Sequence, residues 1–288
     1  MVGALDIGGT HVSAARVDPA SASVDSGTRC RVPLAPDGER DALLGGILHA
    51  ACSIAAPEVV RWAVAVPGPF DYERGICTIR GVAKLEALYG VDLRAELAAA
   101  VGAAAGSIVF LNDAHAFVLG EWWAGAASGH ERAVGITLGS GLGSAFLDSG
   151  RLVTSSATVP PGGELYRTQF RGLPVEETIS RRALLAQYGD PGADVEQIAA
   201  RARAGEERAE LSVGRFAADL AEFLGLWITA FEPTCLAVGG SIARAWDLLG
   251  PPLERGLPSV SVTRAAHIED AALLGAARHA ADAPSSGP

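Results

Sequence analysis

The sequence predicts an α/β protein built from two similar domains, and three observations predict it. Residues Ala133 to Gly150, AVGITLGSGLGSAFLDSG, run from an apolar strand through Gly139-Ser140-Gly141-Leu142-Gly143 into a second apolar strand. Residues Ala4 to Asp18, ALDIGGTHVSAARVD, repeat the plan with Gly8-Gly9-Thr10 at the turn, a domain's length away. Around these hairpins, short apolar strands alternate with segments of helical periodicity. An internal repeat at this spacing suggests two domains that each place a glycine turn against one shared ligand.

Glycines around a hydroxyl let the backbone approach an anion closely, with amide groups and Ser140 directed at phosphate oxygens. Taken alone, either turn is equally an ordinary glycine-rich hairpin. Neither matches G-x-x-x-x-G-K-[ST] and neither leads into a helix, which excludes the Walker and dinucleotide readings. The first turn carries an acid that the second lacks, Asp6, two residues before Gly8. A carboxylate beside phosphates is repulsive unless a cation such as Mg²⁺ intervenes; its bland alternative is a turn-capping carboxylate.

The chain has 288 residues, 49% of them hydrophobic, enough for two ordinary domains with a core in each. Its formal charge of −10 argues against nucleic acid or an anionic membrane as the main partner. No apolar run has the length of a membrane span and the first strand begins almost at once, so a cytoplasmic protein is expected. Cys30, Cys52, Cys77 and Cys235 include no C-x-x-C pair and read as buried thiols, neither a zinc site nor a disulfide framework.

In chain order, Asp41 to Ala55 reads as a helix with Leu44, Ile47, Leu48 and Ala51 on one face. The strand Arg61 to Val66 ends in Pro67-Gly68-Pro69, and such strand ends are where open α/β sheets hold ligands. Val91 to Val101 reads as a helix, and Ser107 to Leu111 as a strand running into Asn112-Asp113 ahead of another helix. At that junction Asp113 is either a helix N-cap or a catalytic carboxylate kept ionised by the helix N-terminus. Thr154 to Pro174 reads as a long loop, Glu177 to Tyr188 as a helix, and Asp190 to Glu210 as a solvated helical surface. Val213 to Phe231 carries Phe216, Leu220, Phe223, Leu224, Trp227, Ile228 and Phe231 at helical spacing, so it is a buried helix whose aromatic stripe is core. The strand Cys235 to Val238 ends in Gly239-Gly240-Ser241, where a flat ring can approach the backbone and Ser241 can cap a helix. Ser259 to Thr263 is the last strand and Asp270 to Ala281 the last helix.

These pieces together resemble the ROK-family sugar kinases of the actin-like, hexokinase-like ATPase superfamily, over nearly the full length. ALDIGGT looks like the family's first phosphate motif and ITLGSGLGSAF like its second, with Ser140 where threonine is usual. LAVGGSIARA resembles the adenosine motif. FLNDAHAFVLGEWWAGAA resembles the segment whose aspartate is the catalytic base, which carries over to Asp113. Four weak motifs in the right order are specific.

The resemblance implies two RNase H-like domains flanking a central cleft, one over residues 1–112 with the helix near 270–281 returning to it, the other over 113–269. It implies phosphoryl transfer from ATP, with Mg²⁺ at Asp6, to a hydroxyl of a hexose, amino hexose or cyclitol. Gly8, Gly9, Thr10, Gly139, Ser140, Gly141 and Gly143 are then phosphate contacts, and Gly239, Gly240 and Ser241 adenosine contacts. Gly68 lies in the sugar-side turn, Asn112 binds a substrate hydroxyl, and Glu164 and Glu177 match the two substrate-binding glutamates. Loop solvation and helix N-terminal charge are the plain alternatives for the two glutamates. A homodimer is suggested by family analogy.

The chain departs from the family where most members carry a zinc-binding cysteine cluster. Tyr166-Arg167 replaces a Gly-His pair, no cysteine lies between Glu164 and Glu177, and Lys84-Leu85 stands where many members have Asn-Leu. Arg167 is therefore a candidate substrate contact, as is Lys84, unless both face solvent. The departures leave the ATP side untouched and shift expectation away from plain glucose. Two other readings belong to different classes: a sugar-responsive regulator, disfavoured because only Met1, Val2 and Gly3 precede the first strand, and an actin-like scaffold, which needs no polar sugar pocket.

Overall fold

The computed structural model describes residues 1–81 and 85–283, so Lys84 lies outside the described residues. They divide into two compact units, Met1–Ala124 with the segment from Glu269 onward, and Gly125–Ile268.

In the first unit β1 (Val2–Ile7) turns at Gly8-Gly9-Thr10 into β2 (His11–Asp18), followed by β3 (Ser23–Val24), β4 (Cys30–Pro33), α1 (Arg40–Ile54) and β5 (Arg61–Val66). Then come the short strands β6 (Phe70–Asp71) and β7 (Ile76–Cys77), α2 (Leu93–Val101), β8 (Ile108–Asn112) and α3 (Asp113–Ala124). The main sheet has the order β3-β2-β1-β5-β8, with β4 also paired to β2. β1 is antiparallel to β2 and parallel to β5, and β5 is parallel to β8. Leu5, Ile7, Val12 and Ala14 share a core with α1. That helix buries Leu43, Ile47, Ala50, Ala51 and Ile54. The buried stripe runs along 43, 47, 50 and 54, so the face is rotated from the expected one and Leu44 and Leu48 only pack against its border.

In the second unit β9 (Arg132–Leu138) turns through Gly139–Gly141 into β10 (Leu142–Asp148), then β11 (Arg151–Leu152), β12 (Gln169–Phe170) and β13 (Leu173–Pro174). Helices α4 (Arg181–Tyr188), α5 (Val195–Arg203) and α6 (Glu207–Phe231) precede β14 (Cys235–Gly239), α7 (Trp246–Gly256) and β15 (Ser261–Arg264). The sheet order, β11-β10-β9-β14-β15, repeats the first sheet: an antiparallel hairpin continued by two parallel strands. The internal repeat of sequence is thus a repeat of topology. α6 lays Phe216, Leu220, Phe223, Leu224, Ile228 and Phe231 against Val134, Ile136, Phe146 and Leu236. It stops at Glu232, which takes φ 53 ahead of Pro233.

Two helical expectations are corrected. α4 begins at Arg181, because the Ser180 hydroxyl accepts the Ala183 N–H and fixes the cap there; Val175–Glu177 is a separate single turn. α5 is more than a solvated surface, for Asp194 and Gln197 form a capping box and Ile198, Ala199 and Ala202 are buried.

The chain ends with α8 (Ala271–Asp282), which belongs to the first unit. It crosses α3 at two glycines: a Cβ on Gly120 would stand 1.9 Å from the Ala271 carbonyl oxygen, and one on Gly275 1.7 Å from that of Ala116. This backbone contact carries α3 into the first unit and moves the boundary from residue 112, as expected, to 124. Among the described residues no helix is long and apolar enough to cross a membrane.

Candidate active site

In the first unit the parallel register sets Asp6 beside Ala65, and Val66 beside Asn112. The ends of β1, β5 and β8 therefore bring Asp6, the Pro67-Gly68 turn and Asn112-Asp113 to one edge of the sheet. Gly8 closes the first turn by donating its N–H to the His11 carbonyl at 2.9 Å. The Thr10 hydroxyl lies 3.1 Å from His11 Nδ1.

The Asn112-Asp113 pair divides two tasks. Asn112 Oδ1 accepts the N–H of Ala114 at 2.9 Å and of His115 at 3.2 Å, so Asn112 caps α3. Its Nδ2 donates to the Tyr72 hydroxyl at 3.2 Å, which donates in turn to the Val66 carbonyl at 3.2 Å. A Cβ on Gly68 would meet that hydroxyl at 3.4 Å, so Tyr72, which sequence reasoning missed, ties the Gly68 turn to Asn112. Asp113 follows as the first residue of the helix, with Oδ1 accepting the Ala114 N–H at 2.9 Å. Burial raises the pKa of Asp6, the charge of Asp113 raises it further, Arg31 opposes, and the result is about 7. Ser13 pairs with Asp6 on one side and with Arg31 on the other, which sets all three across neighbouring strands.

In the second unit the end of β9 gathers the other two turns. Gly240, at φ 84, has no room for a Cβ, which would come within 2.3 Å of the Leu138 carbonyl oxygen. That close approach sets Ser241 beside Gly139, its hydroxyl 3.8 Å from where a Cβ on Gly139 would be. Ser241 makes no side-chain cap bond, contrary to expectation, because its own backbone is already helical. Next to it lies a cavity of about 440 Å³ lined in part by Arg181, Asp194, Glu196, Ser241 and Arg244.

The loop bearing Glu164 is pinned by the buried Ser144 of β10, whose hydroxyl donates to the Gly163 carbonyl at 2.8 Å and accepts the Leu165 N–H at 2.8 Å. Glu164 is mostly buried and pairs with Arg167 at 2.5 Å, so Arg167 is held on the loop by its neighbour. Glu177 is exposed and bonded to Arg182 at 2.8 Å, which holds its carboxyl below the usual carboxylate range. It is Glu176, one residue earlier, that reaches the second glycine turn, accepting the Leu142 N–H at 2.8 Å.

Residues 2–285 match the ROK family. A glucokinase of Thermotoga maritima is 31% identical to this chain, with 95% of each chain covered. The chain belongs to the ROK family. An N-acetyl-D-glucosamine kinase of Salmonella paratyphi B is 26% identical to this ROK chain, covering 78% of it and 81% of the relative. Among solved structures, a ROK hexokinase from Thermus thermophilus superimposes with a TM-score of 0.75 at 25% identity, covering 96% of each chain. A ROK glucokinase from Streptomyces griseus, in complex with glucose and AMPPNP, gives 0.80 at 21% identity over 98% of this chain and 99% of that one. Both neighbours carry the actin-like ATPase fold that the paired sheets display.

Among the described residues of this ROK protein no cluster of three or more His, Cys, Asp or Glu side chains could hold a metal ion. No disulfide joins its cysteines; Cys77 and Cys235 are buried as expected, whereas Cys30 is half-buried and Cys52 exposed. The segment between Glu164 and Glu176 is fixed otherwise. Phe170 packs edge-on against Phe223, their centroids 5.6 Å apart, and Arg171 pairs with Asp219 at 2.8 Å.

Proposed function

We propose that this chain transfers the γ-phosphate of ATP to a hydroxyl of a neutral monosaccharide or cyclitol, with Asp113 as general base. The enzyme is an ATP-dependent sugar kinase, as are its glucokinase and N-acetylglucosamine kinase relatives. The observation that carries the role of Asp113 is the capping of α3 by Asn112, which relieves Asp113 of the task that would otherwise explain an aspartate there. Asp113 accepts the acceptor's proton as the oxygen attacks phosphorus.

Amide groups of Gly8–Thr10 and Gly139–Gly143 with the Ser140 hydroxyl hold the phosphates, and the cavity beside Ser241 takes the adenosine. There Arg181 and Arg244 offer flat guanidinium faces to the base, and Asp194 and Glu196 offer acceptors to ribose hydroxyls. Asp6 fits a magnesium ion: a carboxylate pushed up to about 7 by burial and a second carboxylate is under-neutralised, and a hard cation with oxygen ligands restores the balance. Bound there, Mg²⁺ supplies charge neutralisation for the phosphates.

On the acceptor side, Glu164 receives sugar hydroxyls and Arg167 orients it and donates to acceptor lone pairs. The carboxylate and guanidinium offset each other, so a protonated amine on the acceptor is not matched by an unneutralised charge at Glu164. A coupled ADP-release assay across hexoses, amino hexoses, their N-acetyl forms and cyclitols tests the reading. ADP release that no sugar or cyclitol stimulates would overturn it.

A further inference from the structure

Glu176 reaches the second glycine turn with its carboxylate. Its Oε1 accepts the Leu142 N–H at 2.8 Å, and a Cβ on Gly141 would lie 2.3 Å from that same oxygen. A side chain at Gly141 would therefore have to displace the carboxylate that crosses it, a constraint separate from any phosphate. On the other limb of the hairpin, the Arg181 N–H donates to the Gly139 carbonyl at 2.9 Å. Both limbs are thus tied to one segment, residues 176–181. That segment is anchored in the core: Ile179 and the preceding Val175 are fully buried, and the Ser180 hydroxyl donates to the Glu176 carbonyl at 2.6 Å while capping α4. With Leu142 N–H held by Glu176 and Gly139 N–H by the Gly141 carbonyl, the amides of Ser140 and Gly141 and the Ser140 hydroxyl are left without a hydrogen bond to the described residues.

We infer that Glu176 is a positioning residue for the donor phosphates: it latches the Gly139–Leu142 turn to the segment that continues the acceptor loop, and so fixes the amides that meet the phosphate chain. The role rests on the kinase reading. A negative charge beside a phosphate turn weakens anion affinity, so the carboxylate serves geometry and not attraction. What it supplies is a charge-assisted hydrogen bond to an amide that would otherwise be stranded in a turn.

The inference separates three variants. Glu176→Gln keeps an acceptor oxygen and drops the charge; Glu176→Ala drops both; Gly141→Ala pushes a methyl group into the carboxylate. With the best acceptor, Glu176→Ala and Gly141→Ala should each lower kcat by roughly 10–10²-fold, the cost of a displacement of about an ångström, with the sugar KM changed less than about threefold. Glu176→Gln should recover most of the loss. The double variant should be no worse than Glu176→Ala, because the methyl group then enters the space the carboxylate left, a non-additivity that general damage to the fold does not produce.

Independently of turnover, amide hydrogen exchange at Leu142 should be protected in the wild type and in Glu176→Gln and should quicken in Glu176→Ala. Equal exchange in all three overturns the latch whether or not the chain proves to be a kinase. A raised sugar KM in both Glu176 variants with kcat preserved also overturns it, and assigns Glu176 to the acceptor. Failure of the wild type on every sugar overturns the kinase reading and leaves the exchange experiment to decide the latch.

Discussion

The carboxylate of Asp113 reinforces the effect of burial on Asp6, and together they push the Asp6 pKa up to about 7 against the opposing charge of Arg31. An acid whose folded pKa is raised binds protons more tightly in the folded state, so its contribution to stability is full below the unfolded value and is lost as pH rises through the folded value. The window is therefore about pH 4 to 7. Over it, the wild type without metal should lose on the order of 4 kcal/mol relative to Asp6→Asn, which cannot titrate. Thermal melts of both proteins across pH check this, and parallel curves would remove the effect. Mg²⁺ with nucleotide should stabilise the wild type more at pH 8 than at pH 5.5, since the cation competes with the proton. Arg31→Gln, which removes the opposing charge, should shift the midpoint upward.

Asp113→Asn should lower kcat by roughly 10²–10⁴-fold while nucleotide affinity and melting temperature stay close to the wild type. Because Asn112 carries the cap of α3, the helix keeps its N-terminal hydrogen bonds in the variant. The converse variant, Asn112→Ala, should cost about 1 kcal/mol of stability through the lost cap. Near-normal turnover of Asp113→Asn in a coupled assay would return Asp113 to a plain helix-terminal role.

The legible parts of this site were local ones. A glycine turn between two apolar strands announces itself, and the topology of both sheets follows from two such hairpins continued by strands that end in Pro67-Gly68, Asn112-Asp113 and Gly239-Gly240. What escaped the sequence depends on where one residue falls. Ser180 starts α4 three residues past the single turn at Val175–Glu177, and that register turns Glu176 inward and leaves Glu177 on the surface. Propensity does not distinguish two adjacent glutamates. The domain boundary escaped for another reason: the contact of Gly120 with Ala271 and of Gly275 with Ala116 joins segments about 150 residues apart, and no local pattern encodes it. Tyr72 and Ser144 gave no signal at all, since a single hydroxyl in a loop or strand is common.

The segment between the glutamates should need no zinc. Asp219 is nearly buried and meets Arg171 on one side of the β12–β13 hairpin, while Phe170 inserts beside Phe223. Asp219→Ala should lower the melting temperature measurably through the packing and hydrogen bonding of that nearly buried carboxylate, while Arg171 keeps its pairing with Glu222. A zinc chelator in the presence of excess Mg²⁺ should leave both activity and melting temperature unchanged. Metal analysis finding about one tightly held zinc per chain would contradict this account, because a structural zinc contributes several kcal/mol and its loss would be plain.

Glucose should not be the preferred acceptor, and the reason lies in the Glu164–Arg167 pair. A carboxylate alone accepts from two neighbouring sugar hydroxyls; here one of its oxygens is bonded to a guanidinium at 2.5 Å, and fewer lone pairs remain for the sugar. Arg167 also lies 3.2 Å from the Tyr166 hydroxyl and over its ring, so the guanidinium is held from two sides. A guanidinium in this position favours an acceptor carbonyl or an additional ring oxygen over a hydroxyl that must itself donate. A pocket built this way penalises analogues that leave its polar groups unpaired, by as much as ~10⁴ in the extreme. The kcat/KM order should accordingly place N-acetylated hexoses or cyclitols above glucose, and free amino hexoses lowest. Arg167→His should reverse part of that order by returning an oxygen of Glu164 to the sugar, raising kcat/KM for glucose by roughly 10-fold, about the worth of one hydrogen bond to a charged group. Glucose as the best substrate of the wild type, or an Arg167→His variant with the order unchanged, would place Arg167 outside the acceptor pocket.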